Sequence, residues 1–216
     1  MAEIYLIDGT YYLHRAFHAR TGLATSTGVP TNAVYLFARM LLKLLRERRP
    51  EGVVMVFDAK GKSFRNDLYP DYKANRPPLP EGLAQQIPYI HRLVEALGIP
   101  RVSIPGVEAD DVLATLARRA AARGDTAWLV SRDKDLMQLV GDGIRMWDSM
   151  KEEEIGPEEV AARLGVAPEQ VPDYLALVGD ASDNIPGVPG IGAKGAAKLL
   201  AEHGSLEALL ERAGEI

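Results

Sequence analysis

Strand-length apolar runs alternate with helix-period segments through roughly the first 150 residues, and three of those runs lead straight into aspartates. Ile4 to Ile7 is followed by Asp8, Val53 to Phe57 by Asp58, and Ala127 to Val130 by Asp133 and Asp135. Between them, Thr31 to Arg49 carries Val34, Phe37, Ala38, Leu41, Leu42 and Leu45 at helical spacing. Gly82 to Leu97 reads as a second long helix despite Pro88, and Ala109 to Ala122 as a third. Val102 to Ile104 and Ile144 to Trp147 complete the expected strands. This alternation predicts an α/β domain with a mostly parallel central sheet and helices on both faces. Beyond about residue 150 no strand is expected. Pro157 to Leu164, Pro168 to Val178 and Ala193 to Glu202 read as helices of a smaller module. The expected division is 1–155 and 156–216.

A parallel sheet binds its ligands outside the carboxyl ends of its strands, so three separate strands deliver acids to one edge. Taken singly, each aspartate is more often a helix N-cap or a turn residue; three together weaken that reading. Glu108, Asp110 and Asp111 crowd a helix start, where dipole complementarity alone accounts for some of the charge. Asp180 and Asp183 lie at i, i+3. Packed together without counter-charge, these acids would repel strongly or take up protons. Divalent cations resolve that conflict. An all-oxygen donor set suits two ions of Mg²⁺ or Mn²⁺, and His14, His18, His91 and His203 are scattered and read as structural or surface residues. Two such ions would activate a water and clamp the oxygens of a phosphodiester.

The chain has no cysteine, which excludes disulfides, thiolate metal sites and a cysteine nucleophile. It shows neither a secretion signal nor a membrane-spanning run, and a cytoplasmic location is expected. The net charge of −5 argues at first against nucleic acid. Setting aside the nine candidate carboxylates, each counted as −1, leaves the remainder at +4: an acidic pit in a mildly basic surface.

Two further segments fit a polyanionic partner. Lys60 to Pro80 reads as a mobile excursion with Lys60, Lys62, Arg65, Lys73 and Arg76 interleaved with Phe64, Tyr69 and Tyr72. Cations for phosphates and aromatic faces for bases grip single strands, although a solvated loop explains the composition equally well in isolation. Gly187, Gly190 and Gly192 precede a helix bearing Lys194 and Lys198, so free backbone N–H groups there can meet DNA phosphates. Alone, that glycine pattern reads as an interhelix turn, and it lacks the ending of a Walker loop.

Together these segments resemble the 5′-nuclease family, in particular the nuclease domain at the N-terminus of bacterial DNA polymerase I. The residues that carry the resemblance are Asp8-Gly9-Thr10 with Arg15, Phe57 to Gly61, Tyr72 to Pro78, Gly106 to Asp111, Asp133-Lys134-Asp135, and Gly179 to Lys194. The resemblance implies a 5′→3′ exonuclease and flap endonuclease acting on 5′ flaps, nicked or branched duplexes and 5′ ends, and leaving 5′-phosphate and 3′-hydroxyl ends. It implies that Asp8, Asp58, Glu108, Asp110 and Asp111 serve a first, catalytic metal, and Asp133, Asp135, Asp180 and Asp183 a second. It casts the segment around Lys73 and Arg76 as a helical arch, with Lys73 on the scissile phosphate, Tyr72 stacking a base and Arg15 on a phosphate. It makes the glycine turn a helix-three-turn-helix, with K⁺ on the carbonyls of Val188 and Ile191. A monomer, fused to or acting with a DNA polymerase, is expected, and the chain ends at Ile216, short of the family's further helices.

One departure stands out: Arg132 occupies a position where the family usually has a small residue, and there it could pair with a metal ligand or touch substrate. Two other readings compete. Asp8-Gly9-Thr10 after a first strand also fits a haloacid dehalogenase-type phosphatase, but that chemistry wants an acid at position 10. A catalytically silent DNA-binding module would be expected to have lost some of these acids.

Overall fold

The computed structural model describes residues 1–20 and 22–214. Its centre is a six-stranded sheet ordered β3-β2-β1-β4-β5-β6. The strands are β1 (Glu3–Asp8), β2 (Gly52–Val56), β3 (Arg101–Val102), β4 (Thr126–Val130), β5 (Ile144–Asp148) and β6 (Glu153–Ile155). All neighbours run parallel except β6, which returns antiparallel along β5. Apolar residues run continuously along the central strands because both faces are covered. On one face, Tyr5, Ile7, Met55, Trp128 and Val130 pack against α1 (Gly9–Ala19), α2 (Asn32–Arg48) and, after two short helical segments, α5 (Ile87–Ala96). Those segments are α3 (Arg65–Leu68) and α4 (Glu81–Ala84). On the other face, Leu6, Val56, Ala127 and Leu129 meet α6 (Ala109–Ala121).

The same second core takes in the C-terminal module. There α7 (Pro157–Leu164), α8 (Val171–Val178), α9 (Ala193–His203) and α10 (Leu206–Glu211) contribute Val160, Val171, Tyr174, Leu177, Ala196, Leu200 and Leu209. The module is therefore packed onto the sheet domain through shared apolar contacts.

The structure corrects several expectations. Strands do occur beyond residue 150: β6, and a two-stranded hairpin of β7 (Gly179–Asp180) and β8 (Ile185–Pro186). They span only two or three residues each, too few to leave an alternation pattern. The helix expected over Gly82 to Leu97 is interrupted. Pro88 sits at the start of α5, where its missing N–H costs nothing. Just before it the fully buried Gln86 accepts hydrogen bonds from Ala33 N and Val34 N and donates to Asn32. The helix α1 begins directly at Asp8, whose carboxylate caps it by accepting from Tyr11 N at 2.8 Å. No helix among the described residues is long and apolar enough to cross a membrane.

Candidate metal and phosphate site

At the carboxyl edge of the sheet, Asp8, Asp58, Asp110 and Asp133 line one cavity of about 190 Å³, with Thr10, Tyr11, His14, Lys73, Arg76 and Glu108 at its walls. Local geometry fixes each acid. Asp8 closes β1 and accepts from Ser131 Oγ at 3.0 Å. Asp58 follows β2; its N–H donates to Thr10 Oγ1 at 2.9 Å and its carboxylate accepts from Ala109 N at 2.7 Å. Asp110 lies in the first turn of α6. Asp133 follows β4, its N–H donating to Ser131 Oγ. Ser131, passed over in the sequence, thus joins the first and third strand ends. Beside this group, Asp135, Asp180 and Asp183 bring carboxylate oxygens within 4.8 Å of one another.

The electrostatics divide the acids into two sets. Burial, then the charges of neighbouring acids, push Asp8 up to about 6 and Asp110 up to about 8. Burial and the charges of Asp133, Asp180 and Asp183 likewise push Asp135 up to about 6. These three are charges in conflict.

The outer acids are paired with cations. Arg65 grips Asp111 with two hydrogen bonds of 2.7 and 2.8 Å, which lowers the Asp111 carboxyl. Lys73 Nζ donates to Glu108 at 2.8 Å, Arg76 pairs with Asp183, and Lys134 lies 3.2 Å from Asp180. Burial raises Glu108, but hydrogen bonds from Lys73, Tyr72 and Ser63 outweigh it and leave its pKa low. Asp180 is held low in the same way, Ser182 and Lys134 outweighing its burial.

The family resemblance grouped all nine acids around two ions. The structure gathers Asp8, Asp58, Asp110 and Asp133 at one place and Asp135, Asp180 and Asp183 at the next, with Glu108 at the rim. Asp111 is turned aside into Arg65, its Oδ2 also accepting from Glu108 N at 2.9 Å. The fit to divalent ions rests on chemistry: oxygen-only donors, too close together to be ionised comfortably, on rigid strand ends.

The segment from Lys60 to Pro80 folds inward over the acids. Its helix is the single turn α3, with Pro70, Pro77, Pro78 and Pro80 following, instead of a long helical arch. Lys73 N–H donates to Asp183 O at 2.9 Å. Tyr72 is buried, its hydroxyl lying 2.9 Å from both Glu108 Oε2 and Asp183 Oδ2 with one proton to share between them, so its ring is not presented to a base here. Lys60, Lys62, Lys73 and Arg76 line an adjoining cavity of about 290 Å³ that shares Asp58 and Glu108 with the acidic one. A cavity lined with four cations therefore adjoins the carboxylates.

In the module, α8 ends at Gly179 and the chain turns back so that Gly187 lies against the end of α8, where Val188 N donates to Leu177 O at 2.8 Å. A Cβ on Gly187 would collide with the Val178 carbonyl. We expect Gly187→Ala to destabilise the protein by roughly 3 kcal/mol or more, lowering Tm by about 6–12 °C in a thermal melt. Gly190 takes a φ of +85° and Gly192 caps α9, which carries Lys194 and Lys198. The Val188 carbonyl accepts from Ile191 N at 3.0 Å.

An acid pit at the edge of a parallel sheet, beside a cavity lined with cations, is a site suited to phosphate esters. A model of the 5′-3′ exonuclease N-terminal, resolvase-like domain matches residues 3–165, and one of the 5′-3′ exonuclease C-terminal SAM fold matches residues 166–216. The chain belongs to the 5′-3′ exonuclease family. A 5′-3′ exonuclease of Aquifex aeolicus is 44% identical over 211 residues, covering 98% of this chain and 73% of that protein. The thermostable DNA polymerase I of Thermus aquaticus is 49% identical over 209 residues, 97% of this chain but only 25% of the polymerase. The chain thus spans about a quarter of that relative's length. Among solved structures, a bacteriophage T5 flap endonuclease complexed with DNA and metal ions superimposes with a TM-score of 0.80 at 26% identity, covering 97% of this chain and 78% of its own. A T5 5′-exonuclease with divalent zinc bound gives the same TM-score and identity, covering 97% and 79%.

Proposed function

We propose that this chain is a structure-selective 5′ nuclease that hydrolyses DNA phosphodiesters at 5′ ends and flaps, with two Mg²⁺ or Mn²⁺ ions, to give 5′-phosphate and 3′-hydroxyl products. The observation that carries the reading is the convergence of Asp8, Asp58, Asp110 and Asp133 beside Asp135, Asp180 and Asp183. Those acids would hold the ions, which when bound supply Lewis-acid activation of water and neutralise charge on the phosphate.

The chain's own groups do the rest. Lys73, now on Glu108, is placed to steady the scissile phosphate, and Arg76 and Lys62 to receive the approaching strand. Ser131 and Thr10 hold Asp8 and Asp58 in orientation. Arg15, beside Tyr11, would serve as a further phosphate contact, and the Gly187 to Gly192 turn with Lys194 and Lys198 would grip duplex phosphates without reading sequence. K⁺ on the carbonyls of Val188 and Ile191 would reinforce that grip. The phosphatase reading lacks its second acid, since position 10 is a threonine bonded to Asp58 N.

The test is to incubate the protein with a 5′-labelled flap, a nicked duplex and a single strand, with Mg²⁺ and with EDTA, and to size the products. Mg²⁺-dependent cleavage near the flap junction and at 5′ ends is expected. Phosphate release from small monoesters with no DNA cutting would overturn the proposal.

A further inference from the structure

A fourth parallel strand also ends in an acid, and this one stands apart from the metal ligands. Asp148 closes β5 and is fully buried. Its Oδ1 accepts from Met150 N at 3.0 Å and Lys151 N at 3.3 Å, so one oxygen is committed to the turn. Its Oδ2 lies 2.9 Å from Arg132 Nε, the one cation paired with it among the described residues. Arg132 follows β4 and turns onto Asp148.

The guanidinium also neighbours the Tyr11 hydroxyl, and the side chain keeps 37% of its surface exposed. Tyr11 lines the acidic cavity, and the cation beside its buried hydroxyl is Arg132. Burial lifts the Tyr11 phenol above its usual range, while the neighbouring charges of Arg15 and Arg132 pull against that and Asp148 adds to it. Arg15 Nε is buried without a partner. Two arginines thus cluster about a phenol that lines the acidic cavity, and the buried Nε of Arg15 calls for an acceptor. A planar guanidinium anchored at Nε presents its remaining N–H groups as a fork suited to phosphate oxygens.

We propose that Arg132, held on Asp148, forms with Arg15 and Tyr11 an anion subsite that binds a phosphate of the DNA strand next to the one being cut. The proposal rests on the reading of the chain as a 5′ nuclease. Arg132 acts in it as a positioning residue, contacting a phosphate away from the reacting atoms. The occupant is an internal phosphodiester or a 5′-terminal phosphate; both offer the same oxygens.

The experiment measures binding of a labelled 5′-flap DNA by fluorescence anisotropy across a salt series, in an Asp8→Asn background that prevents cutting. Arg132→Ala should weaken binding about tenfold and make the dependence of log K on log salt shallower by about 0.9, the loss of one phosphate contact. Arg132→Lys should recover part of the slope. A purely structural role, neutralising Asp148, is separated by Arg132→Ala/Asp148→Asn, which removes the buried charge along with its partner. Binding restored to the parent level in that double variant would overturn the proposal, as would an unchanged salt slope in Arg132→Ala. Nicked duplexes with 5′-phosphate and 5′-hydroxyl ends distinguish the occupants. Equal weakening assigns an internal phosphodiester, and weakening confined to the phosphorylated duplex assigns the terminal group. If the parent binds no DNA, and the wild type cuts none, the nuclease reading itself fails; normal cutting and binding with no effect at Arg132 removes only the subsite.

Discussion

Asp8→Asn is expected to reduce flap cleavage to below about one-thousandth of wild type, roughly 4 kcal/mol of transition-state stabilisation, while leaving the fold intact. Asp8 is nearly inaccessible, caps α1 through Tyr11 N and receives the Ser131 hydroxyl. An asparagine oxygen can keep the cap, so the change falls on the charge. In EDTA the variant should melt no lower than wild type at pH 8, because it removes a carboxylate that the cavity disfavours. Asp111→Asn provides the contrast. The family resemblance places Asp111 with the first-metal acids, yet its carboxylate is committed to Arg65 and to the N–H of Glu108. Its loss should act by releasing Glu108 and cost about 10–100-fold. Single-turnover rates for the two variants, with circular dichroism melts alongside, check both statements; equal losses would place Asp111 among the direct ligands.

A second large effect should appear without any DNA. Saturating Mg²⁺ or Mn²⁺ should raise Tm by about 5–10 °C at pH 8, corresponding to roughly 2.7 kcal/mol at a hundredfold excess over Kd, and by much less at pH 5. The sign follows from the direction of the shifts. Asp8, Asp110 and Asp135 have folded-state values of about 6, about 8 and about 6, all above the 3.8 of a free aspartate. The folded protein therefore binds more protons than the unfolded chain between pH 4 and 8, and its stability falls as pH rises through that window. For Asp8 alone the loss is on the order of 3 kcal/mol. Asp111, Glu108 and Asp180 are shifted the other way, so their contribution is present throughout this window and is lost only in stronger acid. Divalent ions reverse the penalty where the acids are ionised and have little to act on where they are protonated. Differential scanning fluorimetry from pH 5 to 9, with metal and with EDTA, measures the difference; a metal effect independent of pH would contradict it.

The sheet was legible because its strands are long, apolar and punctuated by aspartates, and the carboxyl-edge rule then brought Asp8, Asp58 and Asp133 together before any coordinates. The glycine turn was read as a place where backbone N–H groups meet phosphate, whereas what Gly187 approaches is the end of α8. What escaped depends on contacts between distant residues. The break before α5 is set by Gln86 reaching α2, more than fifty positions away in the chain. The inward fold of Lys60 to Pro80 is set by Lys73 and Arg76 meeting acids that lie on α6 and on the β7–β8 turn. Nothing in that loop's composition distinguishes a clamp on carboxylates from a solvated excursion. Asp148 carries no sequence signal of its own, and its pairing with Arg132 is a tertiary contact. The hairpin of β7 and β8 is too short to leave a period.

The central claim is that these acids form a paired site for divalent ions, and Mn²⁺ can be seen directly. Crystals soaked in Mn²⁺ and measured for anomalous scattering should show two peaks, one bounded by Asp8, Asp110 and Asp133 and the other by Asp135, Asp180 and Asp183. Crystals without anomalous density in that cleft, from a protein that still cuts flaps in the same Mn²⁺, would contradict it.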